Sequence, residues 1–207
     1  IAATIGYAVS RGIPLTPRAA GTNLTGSGIG SGIILDVSHL NQILEVNREE
    51  QWARVQPGMV LAELNRQLSS HGLMFGPDPS SGDMCKLGGM IANNSSGPHT
   101  LRYGSVKDNI LRLRVCLTSS SWVDAQSYAL TDPSLERLLT MVPALREILI
   151  LVQAHADLIA EKQPTVSKNS CGYNLFGIAD GLARGMFDIP KLFVGSEGTL
   201  GVVSEAR

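Results

Sequence analysis

Three clusters of glycine and small polar residues are the parts of this sequence with the most chemistry to offer. The first runs Pro17-Arg18-Ala19-Ala20-Gly21-Thr22-Asn23-Leu24-Thr25-Gly26. A loop of such small residues can curl until successive N–H groups converge on one anion, and phosphate oxygens can approach them closely. Thr22, Asn23 and Thr25 add side-chain donors. The second begins Pro77-Asp78-Pro79-Ser80-Ser81, continues Leu87-Gly88-Gly89-Met90-Ile91-Ala92-Asn93-Asn94-Ser95-Ser96-Gly97, and ends Leu101-Arg102-Tyr103-Gly104-Ser105. Its Gly-Gly pair heads an expected short helix, which offers free N–H groups and the positive end of a dipole. The amides and hydroxyls from Asn93 to Ser96 are dense enough to hydrogen-bond the edge of a flat heterocycle. The third, Gly195-Ser196-Glu197-Gly198-Thr199-Leu200-Gly201, is expected between two strands and suits backbone that approaches a ligand.

Each cluster also has a bland account. The first is as well explained by a long β-connection, and the third by a hairpin turn. A Rossmann reading of Gly26, Gly28 and Gly30 fails on context, because Ile33-Ile34-Leu35 reads as a strand where that fingerprint requires a helix. A P-loop fails because no Gly-Lys-Ser/Thr closes the run. Asn94-Ser95-Ser96 fits the N-glycosylation pattern, a chance match without a secretion signal. No carboxylate pair or histidine cluster makes a general base. Glu197 is the one acid inside the third cluster, with bonding its own loop as its expected role, and His99 reads as a polar loop residue.

The elements that must hold these loops are short. Ile1, Ile5, Ala8 and Val9 form a helical stripe closed by Gly12. Strands are expected at Ile13–Thr16, Ile33–Leu35, Ile43–Val46, Trp52–Val55, Leu111–Val115, Trp122–Val123, Leu192–Val194 and Val202–Val203. Leu61, Leu64 and Leu68 mark a helix ending near Gly72. Pro143 opens a long helix with Leu145, Ile148, Leu149, Val152 and Ile159 on its inner face. The pattern predicts an α+β chain with two small sheets, broadly residues 1–107 and 108–207.

Composition narrows the function. Seventeen Lys and Arg against eighteen Asp and Glu leave no basic face for nucleic acid or an acidic membrane. Twenty-two glycines in 207 residues fit ligand-holding loops or a turn-rich β protein equally. Cys85, Cys116 and Cys171 are too scattered for a zinc or iron–sulfur site and read as reduced, buried thiols of a cytoplasmic protein. The longest apolar run, Ile148 to Val152, cannot span a bilayer. The opening residues read as the inside of a helix, so a longer natural N-terminus is expected.

In this order and spacing the clusters resemble the FAD-binding domain shared by vanillyl-alcohol oxidase, D-lactate dehydrogenase, the glycolate oxidase flavin subunit and D-2-hydroxyglutarate dehydrogenase. Lys168-Asn169-Ser170-Cys171-Gly172-Tyr173-Asn174-Leu175 is a fourth similar segment. The resemblance covers essentially the whole chain and implies a PCMH-type fold of two α/β FAD-binding subdomains, 1–107 and 108–207. It implies that Arg18, Ala19, Ala20, Gly21, Thr22, Asn23 and Leu24 wrap the FAD pyrophosphate. Pro79, Gly88, Gly89, Ala92, Asn93, Ser95, Ser96, Gly97, Tyr103 and Gly104 would line the adenosine–ribityl path and isoalloxazine, with Glu197, Gly198, Gly201 and Val202. Two departures stand out. Ala19 and Ala20 replace family glycines, and the Ser119-Ser120-Ser121 turn replaces an Asp/Gly turn. Thr22 stands in the region where some relatives carry a tethering histidine, which favours non-covalent FAD.

The implied activity is oxidation of a D-2-hydroxy acid by hydride transfer to flavin. The alternatives are a non-catalytic flavin- or nucleotide-binding module and an oxygen-using oxidase of the same family. The substrate domain of relatives follows the third cluster, so the catalytic base is expected beyond Arg207. The second cluster looks most like that of long bacterial D-2-hydroxyglutarate dehydrogenase-like proteins, which also carry an iron–sulfur domain as a candidate acceptor. The expected setting is the cytoplasm, with a peripheral place at the inner membrane left open.

Overall fold

Hydrophobic periodicity builds the first element. The computed structural model describes residues 1–207 except Ser167 and Cys171. Helix α1 (Ala2–Arg11) buries Ile5 and Ala8 and ends where Gly12 takes the left-handed conformation, φ 61°. Strand β1 (Leu15–Arg18) pairs in parallel with β2 (Ile33–Asp36), with Arg18 opposite Asp36. The first glycine cluster is therefore the crossover of a two-stranded parallel sheet.

The second sheet has six strands, each antiparallel to its neighbours. They are β3 (Ile43–Asn47), β4 (Trp52–Val55), β5 (Arg112–Cys116), β6 (Trp122–Ala129), β7 (Met186–Asp188) and β8 (Val202–Ala206). Their order is β3-β4-β8-β5-β6-β7. Strand β5 shows why: Arg112 and Arg114 face solvent while Leu113 and Val115 are buried, the period-two pattern of a one-sided sheet. Strands β4 and β8 meet through a single residue pair, Val55 with Ala206. Sheet membership thus crosses residue 107, and one hydrophobic cluster runs from Val55 and Leu64 to Leu113, Phe187 and Ile189.

Helices cover the inner face. Helix α2 (Leu61–Ser69) buries Leu61, Leu64 and Leu68. Helix α3 (Leu87–Asn93) buries Leu87, Met90 and Ile91 and stops at Asn94, φ 48°. A short turn α4 (Thr100–Tyr103) follows. Helix α5 (Pro133–Met141) starts at Asp132, whose carboxylate accepts the Ser134 N–H at 2.8 Å. Helices α6 (Pro143–Ala154), α7 (Ala156–Glu161), α8 (Leu175–Ala183) and α9 (Pro190–Phe193) complete the set. The fold is α+β with small sheets, as the pattern predicts, but the two sheets do not divide at residue 107, because β3 and β4 share the six-stranded sheet with β5 to β8.

Two expectations need correction. The long helix from Pro143 is broken at His155 (φ −115°, ψ 21°), which puts Ile159 on α7. The break turns α7 back onto α8, and Ile159 stays packed against the core. Leu192–Val194 is not a strand but the end of the helical turn α9, where Pro190 fixes the first φ and the Val194 N–H bonds to the Pro190 carbonyl at 3.1 Å. Leu192, Phe193 and Val194 are buried on every side, and a short run of that kind has no periodicity to separate helix from strand. Of the three cysteines, Cys85 and Cys116 are free and buried, while Cys171 lies outside the described residues.

Candidate cofactor site

The first cluster is shaped by its own small residues. Gly21 takes φ 68°, open to glycine at little cost. The Arg18 side chain lies across it, its Cδ 3.4 Å from where a Cβ at either Gly21 or Gly28 would stand. The Ser27 N–H bonds to Asn23 Oδ1 at 3.1 Å, folding the loop back on itself. Ser38 Oγ donates to the Ala19 carbonyl at 3.1 Å and ties the loop to the chain after β2.

The second cluster differs from expectation at its helix start. The Leu87 and Gly88 N–H groups are engaged by the Met59 and Pro57 carbonyls at 3.0 and 2.8 Å, so these donors are not free for a ligand. Gly88 is small because Pro57 is there: a Cβ would fall 2.9 Å from the Pro57 Cβ. Gly89 is the opposite case, with nothing within 4 Å of an added Cβ. The third cluster lies between α9 and β8 and is fastened to α3. Gly195 N–H bonds to the Ile91 carbonyl at 2.9 Å, and Glu197 N–H to the Ala92 carbonyl at 3.0 Å. Glu197 (φ 51°) and Gly198 (φ 80°) make its sharp turn. A Cβ at Gly198 would come within 2.7 Å of the Pro17 Cγ, so this glycine lets the third cluster close on the first.

The three clusters thereby meet around one cavity. Of the residues singled out from sequence, Arg18, Ala19, Ala20, Gly21, Thr22 and Asn23 line it, with Gly88, Gly89, Ala92, Asn93 and Ser95. Glu197, Gly198, Gly201 and Val202 close the third side. The remaining six do not line it. Leu24 projects into solvent, and Pro79 turns away to accept the Gly82 N–H. Ser96 lies just past the lining segment. Gly97 is packed on Asp78, whose carbonyl a Cβ would overlap. Tyr103 packs on Gly76 beneath the Arg102 guanidinium, and Gly104 ends α4.

Sequence reasoning missed several lining residues. Lys86 and Cys85 directly precede the Gly-Gly segment and contiguity would have found them; Val37, Pro57 and Phe193 arrive only through tertiary packing. The charged residues of the described lining are Arg18, Lys86 and Glu197. Burial pushes the Cys85 thiol up, which keeps it protonated and unreactive. His99 is outside the cavity and exposed, its Nδ1 paired with Asp78. Burial would raise the Asp78 carboxyl, but the hydrogen bonds from His99 hold it below the ordinary carboxylate range.

Comparison with known proteins places this arrangement. D-2-hydroxyglutarate dehydrogenase of Pantoea ananatis is 36% identical over 214 residues, covering 100% of this chain and 20% of that protein. Glycolate oxidase subunit GlcD of Bacillus subtilis is 33% identical over 196 residues, 94% of this chain and 31% of that one. The chain thus spans about a fifth to a third of the curated relatives it matches. A solved alkyldihydroxyacetonephosphate synthase superposes on 100% of the chain and 30% of its own length, with a TM-score of 0.64 at 20% identity, a likeness of fold. A family profile described as FAD binding domain matches residues 1–126, more than half of the chain, and the chain belongs to that family, with FAD as its cofactor.

Proposed function

We propose that this chain is the cofactor-holding part of an oxidoreductase that oxidises a D-2-hydroxy acid and passes the hydride to non-covalently bound FAD. The convergence of three glycine clusters on one cavity carries the reading. The residues fit the cofactor: Gly21 is in a conformation a side chain would strain, and Gly89 presents bare backbone to open space. FAD, when bound, supplies the two-electron acceptor chemistry. The residues of the first loop, with Ser27 held by Asn23, would form the cradle for its phosphates, and Asn93 and Ser95 would give the flavin a polar edge.

The non-covalent mode is supported by the cavity itself. Its described lining has no histidine, and its one cysteine, Cys85, is kept as the unreactive thiol. The substrate class rests on the relatives, which are named for D-2-hydroxyglutarate and glycolate. Among the described residues the lining offers no carboxylate placed to take the hydroxyl proton other than the exposed Glu197, and, since the chain spans only a fifth to a third of its relatives, we assign the base and the substrate carboxylate site to the remainder of such a protein.

The test is reduction of the FAD-loaded chain under anaerobic conditions. Dithionite should bleach the flavin, whereas D-lactate and D-2-hydroxyglutarate should not; full-length protein containing this chain should be bleached by one such acid. Rapid bleaching of the isolated chain by these acids would place the base within it and overturn this division of labour.

A further inference from the structure

We infer that Lys86 is a second phosphate-binding cation of the cavity and acts with Arg18 to select a diphosphate-bridged flavin. This rests on the cavity being the FAD site and adds to it a residue that the family resemblance does not assign to the cofactor. The first argument is charge. The described lining carries two cations, Arg18 and Lys86, and one acid, Glu197, which is exposed. Among the described residues neither cation forms an ion pair, whereas Arg54, Arg66, Arg112, Arg114, Arg146 and Arg207 all do. The diphosphate of FAD carries two negative charges, one on each phosphodiester, which two cations neutralise.

The second argument is placement. Arg18 ends β1, with its aliphatic stem between Gly21 and Gly28. Lys86 immediately precedes α3, and its backbone is fixed on both sides: it pairs with Val60 in an isolated β-bridge, and its carbonyl accepts the Met90 N–H at 3.1 Å. Both residues line the same cavity. The Asp36 carboxyl is held low chiefly by its hydrogen bonds from Ser38, and both Arg18 and Lys86 lower it further. Asp36 accepts the Ser38 N–H at 2.8 Å, and among the described residues it forms no ion pair with either cation.

The third argument is need. The Leu87 and Gly88 N–H groups are engaged inside the protein, so the second cluster supplies fewer backbone donors than its Gly-Gly pair suggests. A lysine, a compact charge on a flexible stem, can reach a phosphate without a fixed geometry of approach.

The experiment compares Lys86→Gln, Lys86→Met and Lys86→Arg with the wild type, measuring dissociation constants for FAD, ADP and adenosine at low and high salt. A charge-assisted hydrogen bond corresponds to a change of about tenfold or more, so the Gln and Met variants should bind FAD and ADP about tenfold more weakly while adenosine binding stays within about twofold. Lys86→Arg should stay within about threefold of the wild type, and salt should weaken FAD binding more in the wild type than in Lys86→Gln. Unchanged FAD and ADP binding in the Gln and Met variants would overturn the inference. So would equal loss of all three ligands, which marks a merely structural role. Failure of the wild type to bind FAD is a distinct result: it would overturn the assignment of the cavity, and this inference with it.

Discussion

Gly89 and Gly97 belong to the same glycine cluster and do different work. A Cβ at Gly89 meets nothing within 4 Å, because that side of α3 faces the cavity. Gly89→Ala should therefore stabilise the ligand-free chain by up to about 1 kcal/mol through helix propensity alone. Gly89→Leu should leave the fold intact in denaturant titrations and yet lower FAD affinity by about tenfold or more, since its side chain takes up ligand space. At Gly97 the Cβ would overlap the Asp78 carbonyl. Gly97→Ala should cost about 1–3 kcal/mol of stability by overpacking, whether or not flavin is present. Equal stability of the two alanine variants would contradict this division. Both glycines stand out in the sequence, but only the packing around each separates ligand approach from backbone contact.

Turns and caps carry the predictions at the scale of elements. The β5–β6 turn carries Ser119-Ser120-Ser121, and Ser120 takes φ 62°. A left-handed residue with a Cβ costs about 1–2 kcal/mol, partly offset by the greater unfolded-state freedom of glycine, so Ser120→Gly should raise stability by about 0.5–1 kcal/mol. Helix α5 starts at Asp132, whose carboxyl is held low by the hydrogen bonds from the Ser134 side chain and N–H. A lowered folded-state pKa stabilises above the ordinary carboxylate range of about 4 and is lost as pH falls through the lowered value. Asp132→Asn keeps the cap without titrating, so its stability should fall less steeply on acidification than the wild type's in thermal melts. Elements with a clean period, such as β5 with its alternating arginines or α2 with Leu61, Leu64 and Leu68, are legible in sequence. The break at His155 and the α9 turn are not, because both are fixed by packing on neighbours and leave no local periodicity to read.

At the scale of the molecule, the cavity joins segments far apart in the chain: Arg18 to Asn23, Cys85 to Ser95, and Phe193 to Val203. Most of the residues that the family resemblance assigns to the cofactor line it; the glycine clusters mark the three loops in the sequence but do not by themselves separate a ligand site from a plain turn. Pro57 and Val37 are not legible in the sequence, since Pro57 comes in through the Gly88 N–H bond to its carbonyl and Val37 through its own N–H bond to the Arg18 carbonyl. A ligand that bridges such segments should stabilise the whole fold, by about 2.7 kcal/mol at a hundredfold excess over its dissociation constant, visible as a rise in Tm. The most direct measurement is the flavin-to-protein ratio after equilibrium dialysis against FAD, followed by acid precipitation. The account predicts one FAD per chain, released to the supernatant by acid and markedly reduced in Gly89→Leu. Absence of bound flavin at saturating FAD, or full occupancy in folded Gly89→Leu, would contradict it.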